Sequence, residues 1–373
     1  MELIKRFKGC MIGGAVGDAL GYTIEFNNYN EIIKMYGDNG ITKQRLINGK
    51  ALISDDTQMS LFTATGLLLG TTRRLTRGVF SGFEQYIYKN YLDWYNTQRY
   101  INNRDDIEKY SWLSNIEGLR KRRAPGNTCL DALSSGICGR IDDPINNSKG
   151  CGGVMRVAPI GLYFANPHQK INAKQPEKII GDIAAKASAI THGHELGYIP
   201  SYMLAVLIYK LCKEQNIEQA VKESLELTVK EYENAIYIND FKELIVKSIL
   251  LSKKDFKDID AINILGKGWV AEETLAIAIY CALKYQNDFE QAVIASVNHS
   301  GDSDSTGAVL GNILGAYLGI DNIPKHFYEN LELIEVIEEV TKDLFNDCHL
   351  KNLMGEVSPE WEMKYITKNY TIE

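Results

Sequence analysis

The chain has 373 residues, 45% of them hydrophobic, so it can bury a large core without needing disulfides or metals merely to fold. Its net charge of −7 argues against general nucleic-acid binding, which requires a basic surface. Seven cysteines, none in a CxxC spacing, predict reduced thiols, and no apolar run approaches the ~20 residues that span a bilayer. We therefore expect a cytoplasmic protein that binds neither nucleic acid nor membrane.

Helical periodicity dominates the chain. Apolar residues recur at three- and four-residue spacing, whereas the period-2 alternation of half-buried strands is scarce. The predicted helices are 55–69, 199–212, 216–231, 240–252, 271–285, 288–297 and 306–319. The sequence therefore predicts an all-α protein.

Glycine recurs at every fourth position in two segments. The first contains Gly9, Gly13, Gly17 and Gly21, and the second contains Gly307, Gly311, Gly315 and Gly319. On a helix this spacing forms a stripe where another backbone can approach closely, despite a cost of about 1 kcal/mol per glycine relative to alanine. We expect two buried, central helices, each close to a neighbour, and each is a candidate neighbour of the other. Asp18 interrupts the first run, which otherwise resembles the apolar part of a signal peptide.

The segment 54–70 begins with a serine and two aspartates ahead of an apolar helix. Ser54 is a suitable N-cap, and acidic residues in the first turn favour the positive end of the helix dipole. Taken alone, Ser54, Asp55 and Asp56 are explained by helix capping.

A second motif of this kind, at 302–305, precedes the helix predicted near Thr306, and Ser303 and Asp304 taken alone are again explained by capping. Together, however, the motifs place four carboxylates at the ends of apolar helices, which is unfavourable unless cations compensate them. Carboxylate and hydroxyl oxygens favour hard ions, so the two motifs predict Mg²⁺ or Mn²⁺ in preference to zinc. An EF-hand is rejected because its twelfth position would be Ile313, which has no carboxylate.

The segment KGCGGVMRVAPIG, at 149–161, is rich in glycine. Gly150, Gly152 and Gly153 can expose consecutive backbone N–H groups ahead of a short helix predicted near Val154, an arrangement that cradles phosphates. A purely structural turn is the alternative. Arg156 could add positive charge to the loop or pair with a buried carboxylate.

Three histidines and one glutamate lie near these motifs. His192 and His194 have the spacing of neither a zinc finger nor a three-histidine site, so we favour a helix start or a polar core position, with a role in shaping the ligand pocket. His299 is expected to orient the acidic loop without coordinating metal directly. Glu25 follows the first glycine stripe, where it is either a surface residue or a general base.

Five ordered motifs resemble the ADP-ribosylglycohydrolase family, which includes ADP-ribosylarginine hydrolases and dinitrogenase-reductase-activating glycohydrolases. They are GCMIGGAVGDALGYTIEF, SDDTQMSLFTA, GCGGVMRVAPIG, THGHELGY and NHSGDSDSTGAVLGNILG, and the resemblance covers residues 9–320. It implies one compact orthogonal helical bundle over residues 1–373 with a central dinuclear metal site. Residues 72–127 and 213–262, where the resemblance is poorest, would be peripheral insertions that contact the modified protein.

The resemblance also implies roles for individual residues. The two Mg²⁺ ions, or Mn²⁺, would be bound by Ser54, Asp55, Asp56, Asp302, Asp304 and Ser305. The catalytic residues would be Glu25, Asp55, Asp56 and Asp304. The diphosphate and the rest of the ligand would be held by Gly150, Cys151, Gly152, Gly153 and His192.

The implied activity is removal of ADP-ribose from modified protein side chains by cleavage at ribose C1″, with arginine favoured as the modified residue. The partners would be ADP-ribose and an ADP-ribosylated protein. Three alternatives stay open: hydrolysis of serine-linked or other conjugates, a non-catalytic ADP-ribose-binding or toxin-neutralising role, and a metal-dependent phosphohydrolase acting on nucleotides.

Overall fold

The computed structural model describes residues 1–99, 108–169, 173–352 and 354–372. In those ranges the chain forms sixteen α-helices and one two-stranded hairpin, which confirms the all-α prediction. The α-helices are α1 (Leu3–Tyr22), α2 (Tyr29–Tyr36), α3 (Asp55–Arg77), α4 (Phe83–Thr97), α5 (Asn127–Ser134), α6 (Ala158–Ala165), α7 (Pro176–Ala189), α8 (Glu195–Cys212), α9 (Ile217–Glu231), α10 (Ile238–Ser252), α11 (Asp258–Leu265), α12 (Ala271–Lys284), α13 (Phe289–Val297), α14 (Ser303–Leu318), α15 (Ile334–Asn346) and α16 (Pro359–Tyr365).

Each helix predicted from periodicity is present, and the differences lie at the ends. Helix α3 runs beyond the predicted 69 to Arg77, where Gly78 ends it in the left-handed conformation with φ of 64°. Helix α8 begins at Glu195, before the predicted 199, because Nδ1 of His194 accepts the backbone N–H of Leu196 at 3.0 Å and caps the helix. Both shifts come from local capping, which periodicity does not report.

The two glycine-striped helices, α1 and α14, pack against each other in antiparallel fashion. A Cβ added to Gly13 or Gly17 would lie less than 3.0 Å from the carbonyl oxygen of Gly311 or Gly307, respectively. Real Cβ atoms essentially never approach so closely, so the two backbones meet at a distance that only glycine permits. The expectation of two buried helices that another backbone approaches closely is confirmed, and the candidate neighbour of each is the other.

Arg6 ties this helix pair to α8. Its guanidinium donates to the carbonyl oxygens of Leu211, Ala316 and Tyr317 at 2.9–3.0 Å, and the side chain is buried. These carbonyls belong to the last turns of α8 and α14, where a cation also favours the negative end of the helix dipole. The N-terminal part of α1 is thereby fixed in the core.

The start of α3 is positioned by the hairpin that precedes it. Strand β1 (Leu46–Ile47) pairs with β2 (Lys50–Ala51) across an Asn-Gly turn with positive φ at both central residues. Backbone hydrogen bonds join Ala51 to Asn330 and Glu332 at 2.9 Å. The segment leading into Ser54 is therefore held against the C-terminal part of the chain.

The predicted insertion at 72–127 includes residues 100–107, which lie outside the described residues. Of the remainder, α4 packs on α3 and buries Tyr91 and Trp94 completely. No helix in the described ranges is long and apolar enough to cross a bilayer.

Candidate active site

The N-terminus of α3 obtains its hydrogen-bond acceptors from Asp18, Ser54 and Arg123. Oδ2 of Asp18 accepts the backbone N–H groups of Ser54 and Thr57 at 3.1 Å, and the Thr57 hydroxyl also donates to it. The Ser54 hydroxyl accepts the N–H of Asp56 at 3.2 Å, and the carbonyl of Arg123 accepts that of Asp55 at 3.1 Å. Capping of this helix therefore uses neither Asp55 nor Asp56 as an acceptor.

The carboxylates of Asp55 and Asp56 are buried at this helix end with few partners of their own. Oδ2 of Asp55 accepts the N–H of Gly126 at 3.2 Å, and Oδ2 of Asp56 accepts the Ser54 hydroxyl at 3.3 Å. Oδ1 of Asp56 is buried without a hydrogen-bond partner in the described structure. The capping explanation fits Ser54 but leaves both aspartates unexplained.

The second motif both caps its own helix and contributes acids to the site. Oδ1 of Asp302 accepts the N–H of Ser305 at 3.2 Å and caps α14, so the cap is Asp302, and Ser303 and Asp304, which the capping explanation named, lie inside the helix. Oδ2 of Asp302 accepts the thiol of Cys151 at 2.7 Å, which links the acids to the glycine-rich loop. Asp304 and Ser305 are buried in the first turn.

The two motifs meet in one buried cluster. Burial raises the pKa of Asp304 well above its usual range, and the nearby charge of Asp56 raises it further. Burial also raises the pKa of Asp55 to about 8, to which Asp302 contributes. The Ser305 hydroxyl reaches Asp56 as a hydrogen-bond partner. Acids from the N-termini of α3 and α14 thus share one electrostatic environment.

Glu25 joins this cluster from the end of α1. Burial raises the pKa of Glu25 to about 9, and the charges of Asp302 and Asp55 add to the effect. Its Oε2 atom is buried without a hydrogen-bond partner among the described residues. Glu25 is therefore no ordinary surface glutamate, and its position suits a residue that acts on a bound ligand.

The cluster has the chemistry of a site for hard cations. Its ligand atoms are carboxylate and hydroxyl oxygens, and two of them, on Asp56 and Glu25, lack partners although they are buried. Across the described ranges, no group of three or more His, Cys, Asp and Glu side chains is placed so that it could by itself hold a metal ion. Metal ligation by the six residues named above therefore stays a prediction.

The glycine-rich segment forms a 3₁₀ turn at Cys151–Gly153 beside the acids. The N–H of Cys151 donates to the carbonyl of Trp269 at 3.2 Å, and Gly150 forms a β-bridge with Val270. Gly152 and Gly153 stand at the start of the turn, where the turn itself provides no acceptor for their N–H groups. The loop keeps the donor arrangement expected of an anion site.

The helix predicted near Val154 begins instead at Ala158. Pro159 occupies the second position of α6, where its missing N–H is harmless and its fixed φ favours the start of a helix. Val154 is the last residue capping the 3₁₀ turn. The prediction of a helix directly after the glycines was wrong for this reason.

His192 faces the glycine-rich loop and is neutral. Its Nε2 atom would lie 3.3 Å from a Cβ placed on either Gly150 or Gly152. Burial lowers the pKa of His192 to about 3, and the positive charge of Arg156 contributes. The structure thus places His192 beside the loop to which the sequence analysis assigned the ligand.

Arg156 is connected to His192 through the Thr191 hydroxyl. The guanidinium donates to the Thr191 hydroxyl at 2.7 Å, and that hydroxyl lies 2.8 Å from Nδ1 of His192. The arginine can only donate, so the Thr191 hydroxyl accepts from it, and the same hydroxyl connects the guanidinium to the imidazole. Arg156 itself is buried over the ring of Tyr91, so it neither enters the loop nor pairs with a carboxylate by any described contact.

The other two histidines have structural positions. His194 caps α8, as the sequence analysis favoured. Nε2 of His299 lies 3.0 Å from the Thr306 hydroxyl, which in turn donates to the carbonyl of Asp302 at 2.8 Å. His299 therefore supports the acidic loop from behind and does not contact the acidic side chains by any described hydrogen bond.

Asp18 is a site residue that sequence reasoning missed. It is completely buried in α1, and burial raises its pKa to about 6 although several hydrogen bonds oppose the rise. The available signal was a lone carboxylate inside an apolar, glycine-striped helix, which requires a partner. The partner, the N-terminus of α3, is 36 residues away in sequence and was not readable from the pattern.

Asp18→Asn is expected to destabilise the protein by about 1–2 kcal/mol and to slow turnover about 10-fold. One end of the amide cannot accept the N–H groups that the carboxylate accepts, so donors at the start of α3 lose their acceptor. Urea unfolding and initial rates measure the two effects. Asp240→Asn, at an exposed position in the first turn of α10, is the matched control and should change neither. Wild-type stability and turnover of Asp18→Asn would show that Asp18 does not position the motif at the start of α3.

Fold and site together define a class: an all-α protein in which carboxylates converge at two helix ends beside a glycine-rich loop. Residues 1–353 match the sequence profile of the ADP-ribosylglycohydrolase family, and the chain belongs to that family. Membership confirms the resemblance noted in the sequence and the predicted class of enzyme, a glycosidic-bond hydrolase.

Individual relatives are distant but cover most of the chain. ADP-ribosylhydrolase ARH3 of Bos taurus is 22% identical over 91% of this chain and 92% of its own. ADP-ribosylarginine hydrolase Tri1 of Pseudomonas putida is 22% identical over 92% of this chain and 79% of its own. ADP-ribosyl-[dinitrogen reductase] glycohydrolase of Rhodospirillum rubrum is 24% identical over 88% and 90%.

A solved structure has the same fold. It is described as an ADP-ribosylglycohydrolase-related protein complex, and it superposes with a TM-score of 0.58 at 23% identity, covering 92% of this chain and 98% of that one. At this identity the match supports the helical fold alone.

Proposed function

We propose that this protein is a Mg²⁺-dependent hydrolase that removes ADP-ribose from modified protein side chains, with ADP-ribosylarginine as its substrate. The observation that carries the proposal is the convergence of Glu25, Asp55, Asp56, Asp302 and Asp304 in one buried cluster beside the glycine-rich loop. Relatives named as hydrolases of ADP-ribose conjugates, one of them arginine-directed by name, support the reaction class.

Two Mg²⁺ ions, or Mn²⁺ ions, fit the oxygen donors of the cluster. Mg²⁺ usually keeps several waters and takes only one or two carboxylates, so a site without three acids around one point is compatible with it. The proposed ligands are Ser54, Asp55, Asp56, Asp302, Asp304 and Ser305. When bound, the ions would supply positive charge that holds the ribose hydroxyls and a water.

Residues of the chain would bind the diphosphate, stabilise the developing charge on the ribose and accept the proton of the attacking water. The N–H groups of Gly152 and Gly153 belong to the loop where the diphosphate would bind, and Nε2 of His192 lies beside that loop. The carboxylates stabilise the positive charge that develops on the ribose as the C1″ bond breaks. Bound cations would favour the ionised form of Glu25, whose pKa burial otherwise raises to about 9, and Oε2, which has no partner, could then take the proton of the attacking water.

Glu25→Gln is expected to lower turnover about 100-fold while leaving the affinity for ADP-ribose unchanged. The amide keeps the shape and polarity of the side chain but cannot accept a proton from water. Turnover of an ADP-ribosylated substrate and calorimetric titration with ADP-ribose measure the two quantities. Unchanged turnover would reduce Glu25 to a structural acid.

The function is tested by incubating the protein with ADP-ribosylated arginine, ADP-ribosylated serine and free nucleotides, each with Mg²⁺ or with EDTA. The proposal expects release of ADP-ribose from the arginine conjugate only when Mg²⁺ is present. Hydrolysis of the serine conjugate alone would change the assigned specificity from arginine to serine. Binding without turnover would indicate a non-catalytic ADP-ribose-binding protein, and phosphate release from nucleotides would indicate a phosphohydrolase.

A further inference from the structure

Two large aromatic side chains lie exposed beside the acid cluster. Phe26 is 74% exposed and Trp269 is 42% exposed, although aromatic rings usually contribute to the core. Their rings stack with centroids 6.3 Å apart and planes inclined by 22°. Two exposed apolar rings that contact each other form a surface suited to a ligand.

Both rings belong to segments that are joined to the acids. Phe26 directly follows Glu25, the acid that shares the electrostatic environment of Asp302 and Asp55. The carbonyl of Trp269 accepts the N–H of Cys151, and the Cys151 thiol donates to Asp302. The preceding residue, Gly268, also lies against Asp302. The aromatic pair therefore borders the place where a conjugate would be cleaved.

The combination of aromatic faces and acidic neighbours selects for a planar cation. A guanidinium stacks on aromatic faces and is attracted by carboxylates, whereas a serine side chain offers neither a charge nor a plane. The basic residue of the glycine-rich loop, Lys149, is paired with Glu272, so its charge is compensated. At 6.3 Å the rings are too close to admit a third group between them, so a guanidinium would stack on an outer face.

We propose that Phe26 and Trp269 bind the guanidinium of ADP-ribosylated arginine and thereby select arginine conjugates over serine conjugates. This inference rests on the proposed function. It specifies how the enzyme would recognise the modified side chain that leaves when the C1″ bond breaks. Phe26 follows the acid assigned to the scissile bond, and that position favours the side chain of the modified protein over the neutral adenine as the group that contacts the pair.

The test compares Phe26→Leu, Trp269→Leu and the double variant with the wild type. Leucine keeps an apolar side chain but has no aromatic face, and both positions are exposed, so the fold is spared. KM for an ADP-ribosylarginine peptide is expected to rise about 5-fold in each single variant. The double variant should show a rise of about 5- to 25-fold, because rings in contact do not act additively. KM for a serine conjugate and the Kd of free ADP-ribose should not change.

Phe80→Leu is the matched control. Phe80 is also an exposed phenylalanine, and it lies beyond Arg77 at the end of α3 opposite the acids. Its substitution should leave every constant unchanged, whereas Phe26→Tyr, which keeps an aromatic face, should retain the wild-type KM for the arginine peptide.

Three outcomes would overturn the inference. Unchanged KM for the arginine peptide in the double variant would show that the rings make no contact with the guanidinium. A parallel loss of affinity for free ADP-ribose would assign the pair to the adenine. Wild-type hydrolysis of serine conjugates but not of arginine conjugates would refute the selectivity while leaving an ADP-ribose hydrolase in place. Absence of hydrolysis of any conjugate would instead refute the proposed function itself.

Discussion

Asp56→Asn should abolish hydrolysis and yet leave the metal-free protein at least as stable as the wild type. The Asp56 carboxylate is buried, and burial followed by the charges of Asp18 and Asp55 raises its pKa well above the usual range. Asparagine has nearly the same shape but no charge, so the substitution removes repulsion without leaving a cavity. Turnover is expected to fall at least about 100-fold, because charge at this position is required only when a cation and a developing positive ribose are present.

Two measurements separate this outcome from simple misfolding. Thermal unfolding in EDTA should give a melting temperature equal to or above that of the wild type. Addition of Mg²⁺ should then raise the melting temperature of the wild type but not that of the variant, because a ligand stabilises only the protein that binds it. Asp240→Asn again serves as the control, with wild-type activity and a wild-type response to Mg²⁺. An active Asp56→Asn enzyme that Mg²⁺ still stabilises would show that Asp56 is not a metal ligand.

The same raised pKa values give a pH dependence with a definite sign. Carboxyl groups have a pKa near 4 in an unfolded chain, whereas burial raises those of Asp18, Asp55 and Glu25 to about 6, 8 and 9. Between these limits these groups bind more protons in the folded state than in the unfolded state, so the stability that they contribute in EDTA is fully present below about pH 4 and is lost as the pH rises towards 9. The decrease should be shallower in Asp56→Asn, which has one fewer charge in the cluster.

The sequence allowed the acids to be found but not the way they are held. Asp55, Asp56, Asp302 and Asp304 stand in short motifs at helix starts, and capping residues are local enough to read from the pattern. Whether an acid caps its own helix or faces a neighbour depends on contacts that are distant in sequence. Asp302 caps α14, while at α3 that role falls partly to Asp18.

Long-range contacts explain the other differences as well. The stacking of Phe26 on Trp269 joins a segment after α1 to a segment before α12, and neither ring belongs to a periodic pattern that could have indicated it. The glycine stripes were an exception. Their spacing indicated a backbone contact directly. Glycine at every fourth position lowers the stability of a helix, and a close backbone neighbour is the reason to keep it there.

The contact between these stripes predicts the largest change in stability. Gly311→Ala places a methyl group less than 3.0 Å from the carbonyl oxygen of Gly13, an atom of the α1 backbone that cannot rotate away. Helix propensity alone would favour alanine by about 1 kcal/mol, so the sign of the effect distinguishes the two causes. We expect a net destabilisation of about 2 kcal/mol, because separating two packed helices costs more than the propensity returns.

Urea unfolding of Gly311→Ala, with Gly126→Ala as the control, measures the effect of that contact on the free energy of unfolding. A Cβ on Gly126 would meet no atom within 4 Å, and its φ of −58° suits alanine, so this variant should remain close to wild type. Gly13→Ala should be as harmful as Gly311→Ala, and the double variant should lose less than the sum, since one displacement of α1 from α14 accommodates both methyl groups. If Gly311→Ala were as stable as the control or more so, the close approach of the two backbones would be disproved. Asp302 caps α14 and Asp304 lies in its first turn, so the same displacement should also reduce turnover, which a purely local effect at Gly311 would not do.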